Sequence, residues 1–289
     1  MGERIELKTR GELQAMRAAG LVLARALEGA RDAVTPGVTT GELDEVVGRL
    51  ITDAGAVSNF KGYGAGPSGS GGFPGTICTS VNDEVVHGIP GSRVLTDGDL
   101  LSIDAGCILD GWHADSAFTV HVGQPAPDSD IAAAEVDMIN AAWRSLWAGV
   151  AAARAGGKLG DLACAIERSV ARSCSEDGRR YGSVAGYGGH GIGTAMHMEP
   201  FVPNQGKRGR GIRLVPGMAL AIEPMLTLGR PATRELDDGW TVVTRDGAPA
   251  AHVEHSIAIT SDGVSVLTAS DRGTAALAEY GVQPVDLDS

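Results

Sequence analysis

The sequence lacks any long uninterrupted run of apolar residues and any excess of positive charge. No run reaches the ~18 apolar residues of a membrane-spanning helix, so we expect no membrane span. The net charge is -12 at pH 7, from 24 Lys and Arg against 36 Asp and Glu. Nucleic acids and anionic membranes are bound through basic patches, which argues against DNA or a membrane as the main partner. The charge does not argue against a polypeptide or another neutral molecule as the substrate.

Secretory and disulfide signals are also missing. The N-terminal residues are charged and contain no apolar signal segment. The four cysteines, Cys78, Cys107, Cys164 and Cys174, form no CxxC pair and no dense framework. We therefore expect reduced thiols in a cytoplasmic protein, with Cys78 as a candidate to line a site.

The sequence does contain enough apolar material for a substantial core. Apolar residues make up 43% of the 289 residues and charged residues 21%, as in an ordinary globular protein. We expect a single catalytic domain over residues 1–268 and a C-terminal tail over 269–289 that trails over the surface. Residues 61–75 are too rich in glycine for a helix or a regular strand and predict a mobile surface loop.

Local patterns predict both helices and strands. Thr9 with Glu12, and Thr39 with Glu42, have the spacing of capping boxes and predict two helix N-termini. Ser129 opens a third helical pattern. Strands are predicted, in chain order, around residues 76–81, 100–108 and 117–122.

A short internal similarity indicates two related halves. Residues 94–104 and 214–223 each contain a turn glycine followed six residues later by an acid, Asp104 or Glu223, after an apolar run. Each run predicts a buried strand with a carboxylate at its C-terminal end. We infer two α/β halves related by a pseudo-twofold axis, with a chance resemblance of two strands as the alternative.

Four acids lie in or beside apolar strands with little basic sequence around them. They are Asp104, Asp115, Glu223 and Glu254. Buried acids without cationic partners are costly, and together they would raise one another's pKa values. Two divalent cations would balance about four negative charges, so the pattern predicts a two-metal site. His190, between two glycines, is a fifth candidate ligand, with a plain turn histidine as the alternative.

Taken together, the motifs resemble those of the type I methionine aminopeptidases, metallopeptidases of the M24 family with the pita-bread fold. The matching segments are residues 82–90, 102–104, 110–115, 189–193, 197–200, 221–225, 239–244 and 254–256. The resemblance implies an α/β (α+β) pita-bread fold. In that fold, two pseudo-symmetric halves form a curved, mostly antiparallel sheet that is covered by helices.

The resemblance also implies a role for each matching residue. Asp115 and Glu254 match carboxylates that bridge two metals, Asp104 matches a ligand of one metal, and His190 and Glu223 match ligands of the other. His87, His197 and Glu223 match catalytic residues. The positions that form the family's pocket for the substrate side chain are matched by Tyr63, Phe73, Cys78, Met196 and Trp240, and its substrate-contacting histidines by His87 and His197. The alternative for His87 is a structural histidine at the end of a strand, and the alternative for Trp240 is an ordinary core residue. No role is assigned to His113, His121, His252 and His255.

The implied activity is the hydrolytic removal of N-terminal methionine from nascent proteins and peptides. The implied nucleophile is a hydroxide between two divalent cations, and the oxygen-rich donor set suits Co, Mn or Fe at least as well as Zn. Glu223 is the candidate to carry the proton to the leaving amine, and His197 to hydrogen-bond the scissile carbonyl. The expected partners are nascent N-termini with a small second residue and, as a candidate, the ribosome, with the enzyme acting as a monomer.

Three other interpretations compete with this one. Prolidase-like and creatinase-like enzymes normally carry an additional N-terminal domain, for which the residues before position 60 leave no room. Type II aminopeptidases insert a helical subdomain between the histidine and the next glutamate, which the 33-residue spacing from His190 to Glu223 does not accommodate. A metal-free interaction protein with the same fold would lack ligands, whereas all five candidates are present.

Overall fold

The computed structural model describes residues 5–66, 71–124 and 129–288. Residues 67–70, inside the predicted loop over 61–75, lie outside this range. The helices are α1 (Arg10–Ala33), α2 (Thr40–Asp53), α3 (Asp130–Ala152), α4 (Leu159–Glu176) and α5 (Thr274–Ala278). The strands are β1 (Val57–Ser58), β2 (Ile77–Val81), β3 (Glu84–Val86), β4 (Leu100–Leu109), β5 (Trp112–His121), β6 (Gly182–Ser183), β7 (Gly189–Gly191), β8 (Met198–Val202), β9 (Ala219–Ile222), β10 (Met225–Thr227), β11 (Thr233–Glu235), β12 (Val242–Thr244), β13 (Ala250–His252), β14 (Glu254–Ile259) and β15 (Val264–Val266).

The first two helices begin at the predicted capping boxes. The Thr9 backbone N–H donates to Glu12 Oε2 at 2.6 Å, and Thr39 N–H donates to Glu42 Oε2 at 2.7 Å. Each threonine hydroxyl in turn accepts from the glutamate backbone N–H, so two otherwise unpaired donors are satisfied at each start. Ser129 caps α3 by accepting from Ala132 N–H. All three predicted helix starts are confirmed.

One antiparallel sheet of nine strands organises the described chain. Its order is β1-β4-β5-β14-β9-β7-β8, with β2 added to β4 and β15 added to β14. The centre of the first half is the β4–β5 hairpin, in which Leu100 pairs with His121 and Leu109 with Trp112. Asp110 and Gly111 form its two-residue turn with φ of 50° and 84°, the backbone conformation that such a tight hairpin requires.

The position of Asp104 differs from the prediction. Glu223 directly follows β9 as expected, but Asp104 lies in the middle of β4 and not at its C-terminal end. The strand continues to Leu109 because the hairpin pairs every residue of β4 with β5. The strand predicted around residues 100–108 agrees with β4, whereas the internal similarity, which ends at Asp104, wrongly placed that acid at the end of a strand.

Two pairs of helices cover two halves of the sheet. One core packs Leu23 of α1 and Leu43 of α2 against Ile103 of β4. The other core packs Leu162 of α4 against Ile222 of β9. Side chains alternate along a strand, so while Ile103 enters the helical layer, Asp104 projects from the opposite face. The two halves join where β5 pairs with β14.

The C-terminal segment packs against the body, which corrects the expectation that it trails over the surface. Leu277 in α5 and Leu287 are buried. Gln14 Nε2 donates to the Leu287 carbonyl at 2.7 Å, and Arg272 pairs with Asp286 at 2.8 Å. Isolated leucines leave no periodic pattern in a sequence, so this docking was not visible there. Within the described ranges, no helix is both long and apolar enough to cross a bilayer.

Candidate active site

Strand register brings the four acids onto one face of the sheet. Asp104 of β4 pairs with Ala117 of β5, which pairs with Glu254 of β14 on its other side. Asp115 lies two residues from Ala117 and therefore on the same face. The pairing of His255 with Ile222 places Glu223 opposite Glu254. Residues from four neighbouring strands thus form one carboxylate cluster.

His190 joins this cluster from β7. Its Nε2 lies 3.6 Å from Glu223 Oε1 and 3.9 Å from Asp115 Oδ2. Its Nδ1 lies 3.0 Å from the Gly191 carbonyl, which can only accept, so the proton sits on Nδ1 and the Nε2 lone pair faces the acids. The flanking glycines are required because a Cβ at Gly189 would collide with the Ala221 carbonyl.

Burial and mutual repulsion disfavour the charged forms of these acids. Burial raises the pKa of Asp104 to about 8. Burial, followed by the charge of Asp104, raises the pKa of Glu223 to about 8. The pKa values of Asp115 and Glu254 are also raised, again by burial first and neighbouring carboxylates second. Across the part of the chain that the structure describes, no Lys or Arg forms an ion pair with any of the four.

The cluster fits divalent cations. Asp104 Oδ1, Asp115 Oδ1 and Glu254 Oε1 are buried and have no hydrogen-bond partner among the described residues. Ligand atoms within 4.8 Å of one another occur in three sets: Asp104 with Asp115 and Glu254, His190 with Glu223 and Glu254, and Asp115 with His190 and His197. Glu254 is shared by the first two sets, as a bridging carboxylate would be. Hard carboxylate oxygens with one imidazole suit Mn²⁺, Fe²⁺ or Co²⁺ at least as well as Zn²⁺.

An apolar pocket adjoins the acids. Phe60, Phe73, Cys78 and Met196 pack together with Trp240 at their edge, and the rings of Phe73 and Trp240 meet edge to face at 5.3 Å. A cavity of about 100 Å³ is lined both by these residues and by the carboxylate cluster. Of the apolar lining, Phe60 was missed by sequence reasoning, since an isolated aromatic before the glycine-rich segment carries no motif.

Tyr63 and His197 lie at the mouth of the pocket. The base of the glycine-rich segment is closed by paired backbone hydrogen bonds, Gly62 N–H to Phe73 O and Phe73 N–H to Tyr63 O. Tyr63 Oη lies 2.6 Å from His197 Nδ1. The His197 ring meets the His190 ring edge to face at 4.3 Å. Although His197 is exposed, the surrounding walls desolvate it enough to lower its pKa.

His87 lies deeper in the same cavity. Its backbone has a φ of 61°, in the left-handed region that non-glycine residues rarely adopt. Such strain is concentrated at functional sites, which supports a role beyond ending a strand. Burial, followed by His197, lowers its pKa to about 4, so the ring is neutral.

The other histidines divide into two groups. His121 pairs with Glu135 at 3.0 Å, His113 contacts Asn59 at 3.2 Å, and His255 lies on the helical face against Trp147, where a more open cleft of about 390 Å³ is found. None of these three lines the pocket beside the acids. His252, which sequence reasoning assigned no role, does line it, with Nε2 at 3.7 Å from Glu223 Oε2. The available signal was its position two residues before Glu254, the spacing that brings two side chains to the same side of an extended chain.

Comparison with known proteins identifies the family. The family model described as "Metallopeptidase family M24" matches residues 14–261. The chain belongs to the M24 metallopeptidases. Methionine aminopeptidase 1 of Mycobacterium tuberculosis is 50% identical over 262 residues, which cover 90% of this chain and 94% of that protein. The crystal structure of a methionine aminopeptidase from Rickettsia prowazekii matches with a TM-score of 0.82 at 36% identity, over 92% of this chain and 100% of that one.

Membership in M24 confirms several predictions. The chain is an enzyme, a metallopeptidase, and its curled antiparallel sheet, covered by two pairs of helices, is the predicted pita-bread fold. The prolidase from Pyrococcus furiosus shares this fold with a TM-score of 0.69, at 19% identity. The match covers 91% of this chain but 65% of the prolidase, so that protein extends beyond the shared part. The family implies the use of divalent metal, in agreement with the donor cluster.

Proposed function

We propose that this M24 enzyme removes N-terminal methionine from peptides and nascent proteins. The observation that carries the proposal is that one cavity is apolar on one side and lined by the carboxylate cluster on the other. A side chain held by Phe73, Cys78 and Met196 would leave the first peptide bond beside the acids. Cysteine and methionine are polarizable and suit a thioether side chain. Relatives with 50% and 43% identity are named as methionine aminopeptidases.

Two divalent cations are the proposed cofactors. Asp104, Asp115 and Glu254 would hold one, and His190, Glu223, Asp115 and Glu254 the other. When bound, such cations supply Lewis acidity and bring the pKa of water toward neutrality. The metal is one of Co, Mn, Fe or Zn.

The remaining chemistry is assigned to side chains of this chain. Glu223 accepts a proton from the attacking water and delivers it to the leaving amine, since its carboxylate lines the cavity beside the proposed position of the scissile bond. His197 hydrogen-bonds the scissile carbonyl, with the Tyr63 hydroxyl orienting its ring through Nδ1. His87 contacts the substrate amide from the wall of the cavity. Charged first residues are rejected because the pocket offers them no partner.

The proposal includes the cellular setting. The substrates are nascent N-termini with a small second residue, met in the cytoplasm by a monomeric enzyme, with the ribosome as a candidate partner. The division into a catalytic domain over residues 1–268, a glycine-rich loop over 61–75 and a C-terminal segment over 269–289 stays a prediction. DNA and membranes are not proposed as partners.

A peptidase assay tests the proposed function. Metal-stripped enzyme is reconstituted with Mn²⁺, Co²⁺, Fe²⁺ or Zn²⁺ in turn and offered Met-Ala-Ser, Lys-Ala-Ser and the dipeptide Ala-Pro. We expect free methionine from Met-Ala-Ser, a kcat/KM for Lys-Ala-Ser lower by at least about a hundredfold, and no cleavage of Ala-Pro. Stripped enzyme is the control. Preferred cleavage of Ala-Pro would point to a prolidase and overturn the proposal.

A further inference from the structure

The Glu223 carboxylate lies between two imidazoles. Its Oε1 is 3.6 Å from His190 Nε2, and its Oε2 is 3.7 Å from His252 Nε2. The Glu223 backbone is fixed separately, because Asn204 Nδ2 donates to its carbonyl at 3.0 Å. This bond does not hold the side chain. The position of the Glu223 carboxylate therefore depends on the groups near its two oxygens, His190 and His252.

The two imidazoles present different groups to Glu223. His190 donates its Nδ1 proton to the Gly191 carbonyl, which leaves Nε2 as a lone pair suited to a metal. His252 Nε2 is buried and has no hydrogen-bond partner within the described ranges. A neutral imidazole that carries its proton on Nε2 is a donor, and Glu223 Oε2 is the acceptor beside it.

The backbone of His252 is held firmly in this position. Its N–H donates to Thr119 Oγ1 at 2.9 Å, and the same hydroxyl donates to the His252 carbonyl at 2.7 Å. Ser102 Oγ lies 2.8 Å from Thr119 Oγ1 and completes the network. On the other side, His252 pairs with Met225, two residues after Glu223. The backbone that carries the ring is thus fixed beside Glu223 by both strands that flank it.

We propose that His252 is a positioning residue: when metal binds, its Nε2–H closes from 3.7 Å to hydrogen-bond distance of Glu223 Oε2 and so directs Glu223 Oε1 toward His190 and the metal. Residues that hydrogen-bond metal ligands typically change metal affinity by about 10- to 100-fold when removed. The inference rests on the proposed ligand role of Glu223. It concerns metal affinity and needs no particular peptide substrate.

Metal titration of the full-length, metal-stripped protein tests this role. Mn²⁺ is titrated calorimetrically into wild type and the variants His252→Leu, His252→Met and His252→Gln. Gln keeps a side-chain N–H donor, whereas Leu and Met remove it at similar volume. We expect the Leu and Met variants to bind Mn²⁺ about 10- to 100-fold more weakly at one of two sites, and the Gln variant to stay within about threefold of wild type.

A matched control is Ser265→Ala, which removes another buried polar atom without a partner, on β15. It should leave Mn²⁺ affinity unchanged. Wild-type affinity in both apolar variants would overturn the proposal, as would an equal loss in the Gln variant, since that result indicates packing and not hydrogen bonding. If His252→Leu does not fold, His252→Met decides. Failure of the proposed function is detected separately, by the peptide assay, while Mn²⁺ affinity would still respond to His252.

Discussion

The carboxylate cluster and the substrate pocket share one cavity but are built in different ways. Asp104, Asp115 and Glu254 occupy fixed register positions on adjacent strands, and Glu223 directly follows the next strand, β9. A shift of one residue in this register would turn the acids to the other face. The apolar wall comes mostly from strand ends and loops, including Phe60, Phe73, Met196 and Trp240. Changes in the cluster should therefore abolish metal binding, whereas changes in the wall should alter only how well a substrate is held.

The largest expected effect is at the cluster. His190→Ala removes the one imidazole among the proposed ligands, so one metal should be lost and activity on Met-Ala-Ser should fall by more than about a thousandfold. Elemental analysis beside steady-state kinetics measures both quantities. The control is His121→Gln, which changes a histidine paired with Glu135 outside the cavity. Two metals per chain in His190→Ala would show that His190 is not a ligand.

The next effect separates a residue that contacts substrate from a ligand. His87→Ala should keep both metals while kcat falls by about a hundredfold, because a contact made only in the transition state is lost. KM should change little. Metal content and kcat are measured on the same preparation. Loss of metal in His87→Ala, with retention in His190→Ala, would reverse the two roles.

A smaller effect is expected at the apolar wall. Phe73→Ala should lower kcat/KM for Met-Ala-Ser by roughly tenfold to a hundredfold, since a buried aromatic face worth a few kcal/mol is removed. Mn²⁺ affinity should stay at the wild-type value. A titration and a kinetic assay on the same variant test this contrast. If Phe73→Ala loses metal, the wall and the cluster are coupled and the comparison fails.

The smallest effect is on the stability of the stripped protein. Asp104 and Glu223 have folded-state pKa values of about 8, above their ordinary values, so the folded chain binds more protons than the unfolded chain at neutral pH. Stability should therefore fall as pH rises from 7 to 8, by about 1–2 kcal/mol. Below about pH 6.5 buried neutral histidines such as His190, with a pKa of about 3, act in the opposite direction.

Thermal unfolding at pH 7.0, 7.5 and 8.0 measures this slope. The Tm of stripped protein should drop by a few degrees across the range. Mn²⁺-loaded protein should show a higher Tm and no such drop, since the cations compensate the ionised carboxylates. An equal drop with and without Mn²⁺ would mean that the titrating groups lie outside the cluster.

Sequence reasoning was most successful where a structural feature depends on neighbours in the chain. The capping boxes at Thr9 and Thr39 satisfy donors within three residues, so their helices could be predicted without any fold. The five proposed ligands were chosen because buried acids need cations and because their motifs resemble a family, and the structure does bring all five together. Their individual roles stay predictions.

What the sequence by itself determined is thus the starts of α1, α2 and α3, the donor residues of the cluster and the resemblance to the M24 family. Only the tertiary structure decided that Leu277 and Leu287 anchor the C-terminal segment and that Phe60 and His252 belong to the site. The physical reason is distance along the chain. Pairing of β13 with β10 and packing of α5 depend on contacts between residues far apart in sequence, and no local pattern reports which of these contacts form.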